Sequence, residues 1–127
     1  MEDLLFAAAK DQGLMVFRIV PGELQLIGTV PGFENAWGIA IAGDTAVVAD
    51  GGGGVHVVDV SDPEGMTRLG QLDVSGVPRE VVFLEDGAHV AVAAGSAGVH
   101  LVDVGEPAAP TLVGTVPVHG TAMDVAI

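Results

Sequence analysis

One segment recurs three times along this 127-residue chain, and the recurrence limits the available folds more than any other feature. It reads Gly13-Leu-Met-Val-Phe-Arg-Ile, then Gly54-Val-His-Val-Val-Asp-Val, then Gly98-Val-His-Leu-Val-Asp-Val. After each copy comes a second shared piece: Leu26-Ile-Gly-Thr-Val, Arg68-Leu-Gly-Gln-Leu and Leu112-Val-Gly-Thr-Val. A third piece reads Ala36-Trp-Gly-Ile-Ala-Ile, Pro78-Arg-Glu-Val-Val-Phe and Ala122-Met-Asp-Val-Ala-Ile. Leu5-Phe-Ala-Ala-Ala, Val47-Val-Ala-Asp-Gly and Val92-Ala-Ala-Gly-Ser make a fourth. A period of about 42 residues that holds four short strands is the pattern of a propeller blade.

The apolar runs between these landmarks are short and rich in Val and Ile, which favours strands over helices. Twelve are expected: Leu4–Ala9, Leu14–Val20, Leu24–Val30, Trp37–Ala42, Thr45–Ala49, Val55–Val60, Arg68–Val74, Arg79–Leu84, His89–Ala93, Val99–Val104, Leu112–Val116 and Met123–Ile127. Ala7-Ala8-Ala9 could begin a helix, but its place in the repeat makes it a strand. The fold class is therefore all-β.

Val55-His-Val-Val-Asp-Val-Ser-Asp-Pro and Val99-His-Leu-Val-Asp-Val-Gly-Glu-Pro resemble the LVIVD repeat family, as does the Gly-rich link Val47-Val-Ala-Asp-Gly-Gly-Gly-Gly. Leu14-Met-Val-Phe-Arg-Ile-Val-Pro-Gly departs from the pattern, since Arg18 replaces the repeating Asp. The resemblance implies a β-propeller, in bacterial and archaeal proteins often at the cell surface, and implies no specific activity.

Labelling each blade's strands A to D from the channel outward, the chain reads B-C-D, A-B-C-D, A-B-C-D, A. It is expected to be a single domain, 1–127, of three blades with units 1–32, 33–76 and 77–120 and a closing strand over 121–127. Three blades cannot close a ring, because known propellers have roughly 4–8. An open arc exposes apolar sheet faces and an unpaired edge. The expectation is a homodimer that forms one six-bladed ring, each closing strand completing its partner's first blade; a piece of a longer propeller is the alternative.

With 4 Lys+Arg against 17 Asp+Glu, the net charge of −13 argues against a nucleic-acid partner, whose phosphates need clustered cations. The absence of cysteine removes disulfides and thiolate chemistry. Gly, Asp or Pro interrupts every apolar stretch before a membrane span is reached, and Met-Glu-Asp lacks the positive start of a signal peptide. The chain reads as soluble, with its compartment open.

Asp59-Val-Ser-Asp-Pro and Asp103-Val-Gly-Glu-Pro recur at one place in the blade, which suits Asx-type turns better than paired catalytic carboxylates. Asp50 falls to the same reading. Gly51-Gly-Gly-Gly54 has no following Gly-Lys-Ser/Thr and is read as a positive-φ turn. His56 and His100 sit one blade apart and cannot share a metal ion, and His89 reads as a strand-edge residue. Ser61, Ser75 and Ser96 lie in turns without a nucleophile motif.

Residues entering the A strands face the channel mouth: Asn35 and Trp37, Arg79 and Glu80, then His119, Met123 and Asp124. They are the candidate site residues. The expected function is a non-catalytic interaction and assembly scaffold with no cofactor. The alternative is a small-ligand or calcium-binding propeller, hydrolytic in one version, with these residues converging; the calcium loop of alternating carboxylates is missing.

Overall fold

A computed structural model describes residues 3–126, which form eleven strands and no helix. Strands β1 (Leu4–Ala8), β2 (Leu14–Val20) and β3 (Glu23–Val30) make the first sheet, in the order β1-β2-β3. The second is β4 (Ala36–Ala42), β5 (Thr45–Asp50), β6 (Gly54–Asp59) and β7 (Thr67–Leu72). The third is β8 (Glu80–Phe83), β9 (His89–Ala93), β10 (Val99–Asp103) and β11 (Thr111–Val116). All pairings are antiparallel between sequence neighbours, as a propeller blade requires.

The turn from the second to the third strand of each blade explains one set of repeated glycines. Gly13, Gly54 and Gly98 have φ of 83°, 80° and 93°. A Cβ at those places would lie 2.1–2.3 Å from the carbonyl oxygen of Val30, Leu72 or Val116 on the neighbouring outer strand. Only glycine satisfies both constraints. Each outer strand then carries a β-bulge at the same point, between Val16/Phe17, Val57/Val58 and Leu101/Val102 of its partner.

The sheets pack face to face. Phe6, Ala8 and Leu14 of the first meet Ile39, Ala46, Val48 and Val58 of the second in one cluster. Val47, Ala49, Val55 and Val57, on the second sheet's other face, meet Val81, Val90, Val92 and Val102 of the third. The middle sheet is thus covered on both sides, which is why β5 and β6 are buried nearly throughout, His56 included, instead of on alternate residues. Each fully buried valine contributes roughly 1.5–3 kcal/mol.

A second set of glycines marks how closely the blades approach. Gly28 and Gly70 lie under the Pro-containing turn of the next blade, where a Cβ would be 2.1 Å from the Pro63 oxygen and 2.4 Å from the Pro107 oxygen. At the same place in the third sheet, a Cβ on Gly114 would meet nothing within 4 Å.

Ten of the expected runs become strands within two residues of their ends, and so does Leu4–Ala9, which ends at Ala8. Met123–Ile127 differs. Ala122 forms an isolated bridge with Gly95, residues 123–126 pair with no strand, and Ile127 lies outside the described residues. A strand exists through its partner, and the run has none within the described chain. Lys10 bridges Ala36 in the same manner at the start of β4. The repeat places Pro78 opposite Gly51 at the middle junction, where proline has no N–H to donate, and Gly51 N–H donates instead to Asn35 within its own sheet.

Candidate functional site

Successive A strands bring Trp37 and Arg79 together. Trp37 is the second residue of β4, and Arg79 immediately precedes β8 in the same slot of the next repeat. The Arg79 guanidinium lies 4.1 Å from the Trp37 ring centroid, a cation–π stack worth about 0.5–2 kcal/mol. The Trp37 Nε1–H is buried and has no acceptor. Glu80 is adjacent, but its Oε1 accepts from the Val81 N–H at 3.1 Å. Asn35 uses its backbone N–H on Asp50 at 2.6 Å.

His119, Met123 and Asp124 lie in the exposed segment after β11, and Asp124 Oδ1 accepts from the Val125 N–H at 2.8 Å. Among the described residues, no group of three or more His, Asp or Glu is placed to hold a metal ion.

The repeating carboxylates do serve turns. Asp59 Oδ1 accepts from the Ser61 N–H at 2.9 Å, Asp62 from Glu64 at 3.1 Å and Asp103 from Gly105 at 2.8 Å. Hydrogen bonds from the Ser61 hydroxyl and amide hold the Asp59 carboxyl below the usual range. Asp86 is lowered by the Ala88 N–H first and then by His89, whose Nδ1 is 2.7 Å away.

Asp50 departs from the turn expectation. It is buried, and its carboxylate accepts from Asn35 N–H at 2.6 Å, Glu34 N–H at 3.2 Å and His56 Nε2 at 3.1 Å. The group therefore ties the end of β5 to the segment that enters β4. Burial, followed by the Arg68 charge, lowers the His56 pKa against the pull of Asp50. The pair has ion-pair geometry, but desolvation wins and the imidazole is neutral at pH 7. Donating from Nε2 leaves its buried Nδ1 without a partner. Phe33, in the linker from β3 to β4, meets the ring edge-on at 4.7 Å. His100 fills the equivalent role in the following blade. Its Nε2–H donates to the Ser75 carbonyl in the next linker at 2.8 Å, and Nδ1 accepts from the Thr115 hydroxyl at 2.7 Å. Both histidines hold linkers to sheets. A clue to Asp50 lies in the repeat once its register is corrected. The strand pairings put Leu5, Ala46 and Val90 in one slot, not Leu5, Val47 and Val92 as the sequence pieces align them, so Ala9 and Ala94 fill the slot of Asp50.

Unfilled apolar surface is found at both ends of the arc. A cavity of about 510 Å³ lies on the free face of the third sheet, lined by Leu84, Ala91, Val99, Leu101, Gly114 and Val116 together with His100 and Thr115. On the free face of the first sheet Leu5, Ile19, Leu24 and Leu26 are 42–52% exposed, and the outer edge of β1 pairs with no strand among the described residues.

Comparison with known proteins agrees with this architecture. A family model described as the LVIVD repeat matches residues 34–74 and 79–118. No curated protein matches the chain. A crystal structure of a Lactobacillus plantarum protein superposes with a TM-score of 0.77 at 20% identity, covering 92% of this chain and 38% of that one. A Bacteroides fragilis protein named as a putative 6-phosphogluconolactonase gives 0.71 at 18% identity, covering 94% of this chain and 39% of that one. The chain thus spans about two fifths of either structure, and at these identities the likeness is one of fold.

Proposed function

We propose that this chain, which belongs to the LVIVD repeat family, is a non-catalytic propeller module whose working surfaces are its assembly surfaces. Two copies form one six-bladed ring. In each, the segment after Ala122 adds to the open edge of the partner's β1 and supplies the missing A strand. The carrying observation is the Gly95–Ala122 bridge, which repeats the Lys10–Ala36 bridge that starts β4 and so directs the following residues along a new strand A. By the register of Gly38 with Ala49, Asp124 would sit opposite the partner's Ala8. Three further supports are the two internal blade junctions, the exposed apolar faces and the carboxylates already committed to turns. Native mass spectrometry tests the reading: a species near twice 12.7 kDa is expected, and a stable monomer at all concentrations overturns it.

A ligand site at the channel mouth is the second reading, favoured by one observation, the unpaired Trp37 N–H beside Arg79. In its calcium-binding version Glu80, Asp124, Asn35 and His119 would converge around one central ion. Calorimetric titration with calcium, repeated on Glu80→Ala/Asp124→Ala, decides that version. Absence of heat and of any melting shift removes it.

A further inference from the structure

We propose that the free face of the third sheet docks onto the free face of the first sheet of a second copy, as a third blade junction matched to it in shape. The inference rests on the ring reading above and adds which side chains meet. Repeat equivalence defines the faces. Phe6, Val47 and Ala91 occupy one slot on the side of each blade that looks forward along the chain, and Leu5, Ala46 and Val90 occupy one slot on the side that looks back.

The two internal junctions show how these slots combine. Phe6 and Ala46 share one cluster, and Val47 and Val90 share the other. In these slots one junction therefore holds a large and a small side chain, and the next holds two medium ones. The third would set Ala91 with the partner's Leu5, small with large. Interiors tolerate changes that conserve summed volume far better than changes that do not, so this compensation around the arc is what a closed set of junctions requires.

The outer strands point the same way. Gly28 and Gly70 are each covered by a turn of the following blade, while Gly114 opens into the cavity of about 510 Å³. In the first blade the corresponding turn is the hairpin around Pro21 and Gly22. Its flanks, Ile19 and Leu24, pair with each other and are 47% and 52% exposed on the free face. They are the apolar groups available to fill the space over the partner's Gly114.

A size swap tests the docking separately from the stoichiometry. Sedimentation over a concentration series would compare the wild type, Ala91→Leu, Leu5→Ala and the double variant, with far-UV circular dichroism confirming that each folds. Both positions are at least partly exposed in the single chain, so folding is expected to survive. Each single change should weaken dimerisation by about tenfold or more, and the double change should restore it to within about threefold of wild type. A wild-type dimer with no coupling between the two sites overturns the pairing of Ala91 with the partner's Leu5 and leaves the ring reading standing. A wild-type monomer overturns both.

Discussion

Replacing Asp50 by alanine should remove more stability than its place beside a glycine turn suggests. The carboxylate accepts three hydrogen bonds, from Asn35 N–H, Glu34 N–H and His56 Nε2. Each buried donor left without a partner costs about 1–3 kcal/mol. Glu34 is exposed, so water can reach its amide, and two donors remain to be counted. The expected loss is about 3 kcal/mol, a large fraction of the roughly 5–15 kcal/mol that holds a domain together. Asp50→Asn should lose only about 1 kcal/mol. Its amide oxygen can still accept from Asn35, and its NH2 can donate to Nε2 once the imidazole proton moves to the unpartnered Nδ1. Urea unfolding followed by Trp37 fluorescence and circular dichroism measures both. A loss under about 0.5 kcal/mol for Asp50→Ala, or equal losses for the two variants, would show that the network does not hold β4 to β5.

The lowered His56 pKa makes stability depend on pH with a definite sign. The unfolded chain takes up a proton near its ordinary value of 6.5 while the folded one resists, so stability is full above pH 6.5 and falls as the pH drops through that value. Thermal melts from pH 8 to 5 should show this, and His56→Gln should flatten the curve. Gly28→Ala and Gly70→Ala should each cost about 1–3 kcal/mol, since the added Cβ would collide with the Pro63 or Pro107 carbonyl; Gly114→Ala, with open space around its Cβ position in the single chain, should be neutral or stabilising there. Chemical denaturation of the three variants checks the contrast. Arg79→Ala uncovers one face of the Trp37 indole, and its fluorescence emission should move to longer wavelength without loss of the fold.

Blade architecture is legible in the sequence because it is local. Val- and Ile-rich runs, glycines in fixed places and a repeating period each act over a few residues, and eleven strands follow from them. Met123–Ile127 carries the same local signal and makes no strand among its described residues, because pairing is supplied from outside the run. Asp50 escapes the turn reading for a related reason: its backbone partners Glu34 and Asn35 lie 16 and 15 residues away in sequence. Trp37 and Arg79 can be placed together at the start of the A strands from the repeat alone, since they fill one slot in successive blades. Their stacking needs three-dimensional placement.

Pro78 bears on how much the arc can bend. The Lys10–Ala36 bridge ties the first sheet to the second with two backbone hydrogen bonds of 2.7 and 3.1 Å. At the middle junction the missing proline N–H removes the equivalent tie, and the side chains of Val47, Ala49, Val55 and Val57 set the angle there against Val81, Val90 and Val92. Backbone links resist rotation through directional geometry, whereas packed methyl groups permit small rolling adjustments. The second and third blades therefore meet through packed side chains without the backbone tie of the first junction, and in the proposed ring this is the junction whose angle could adjust most readily.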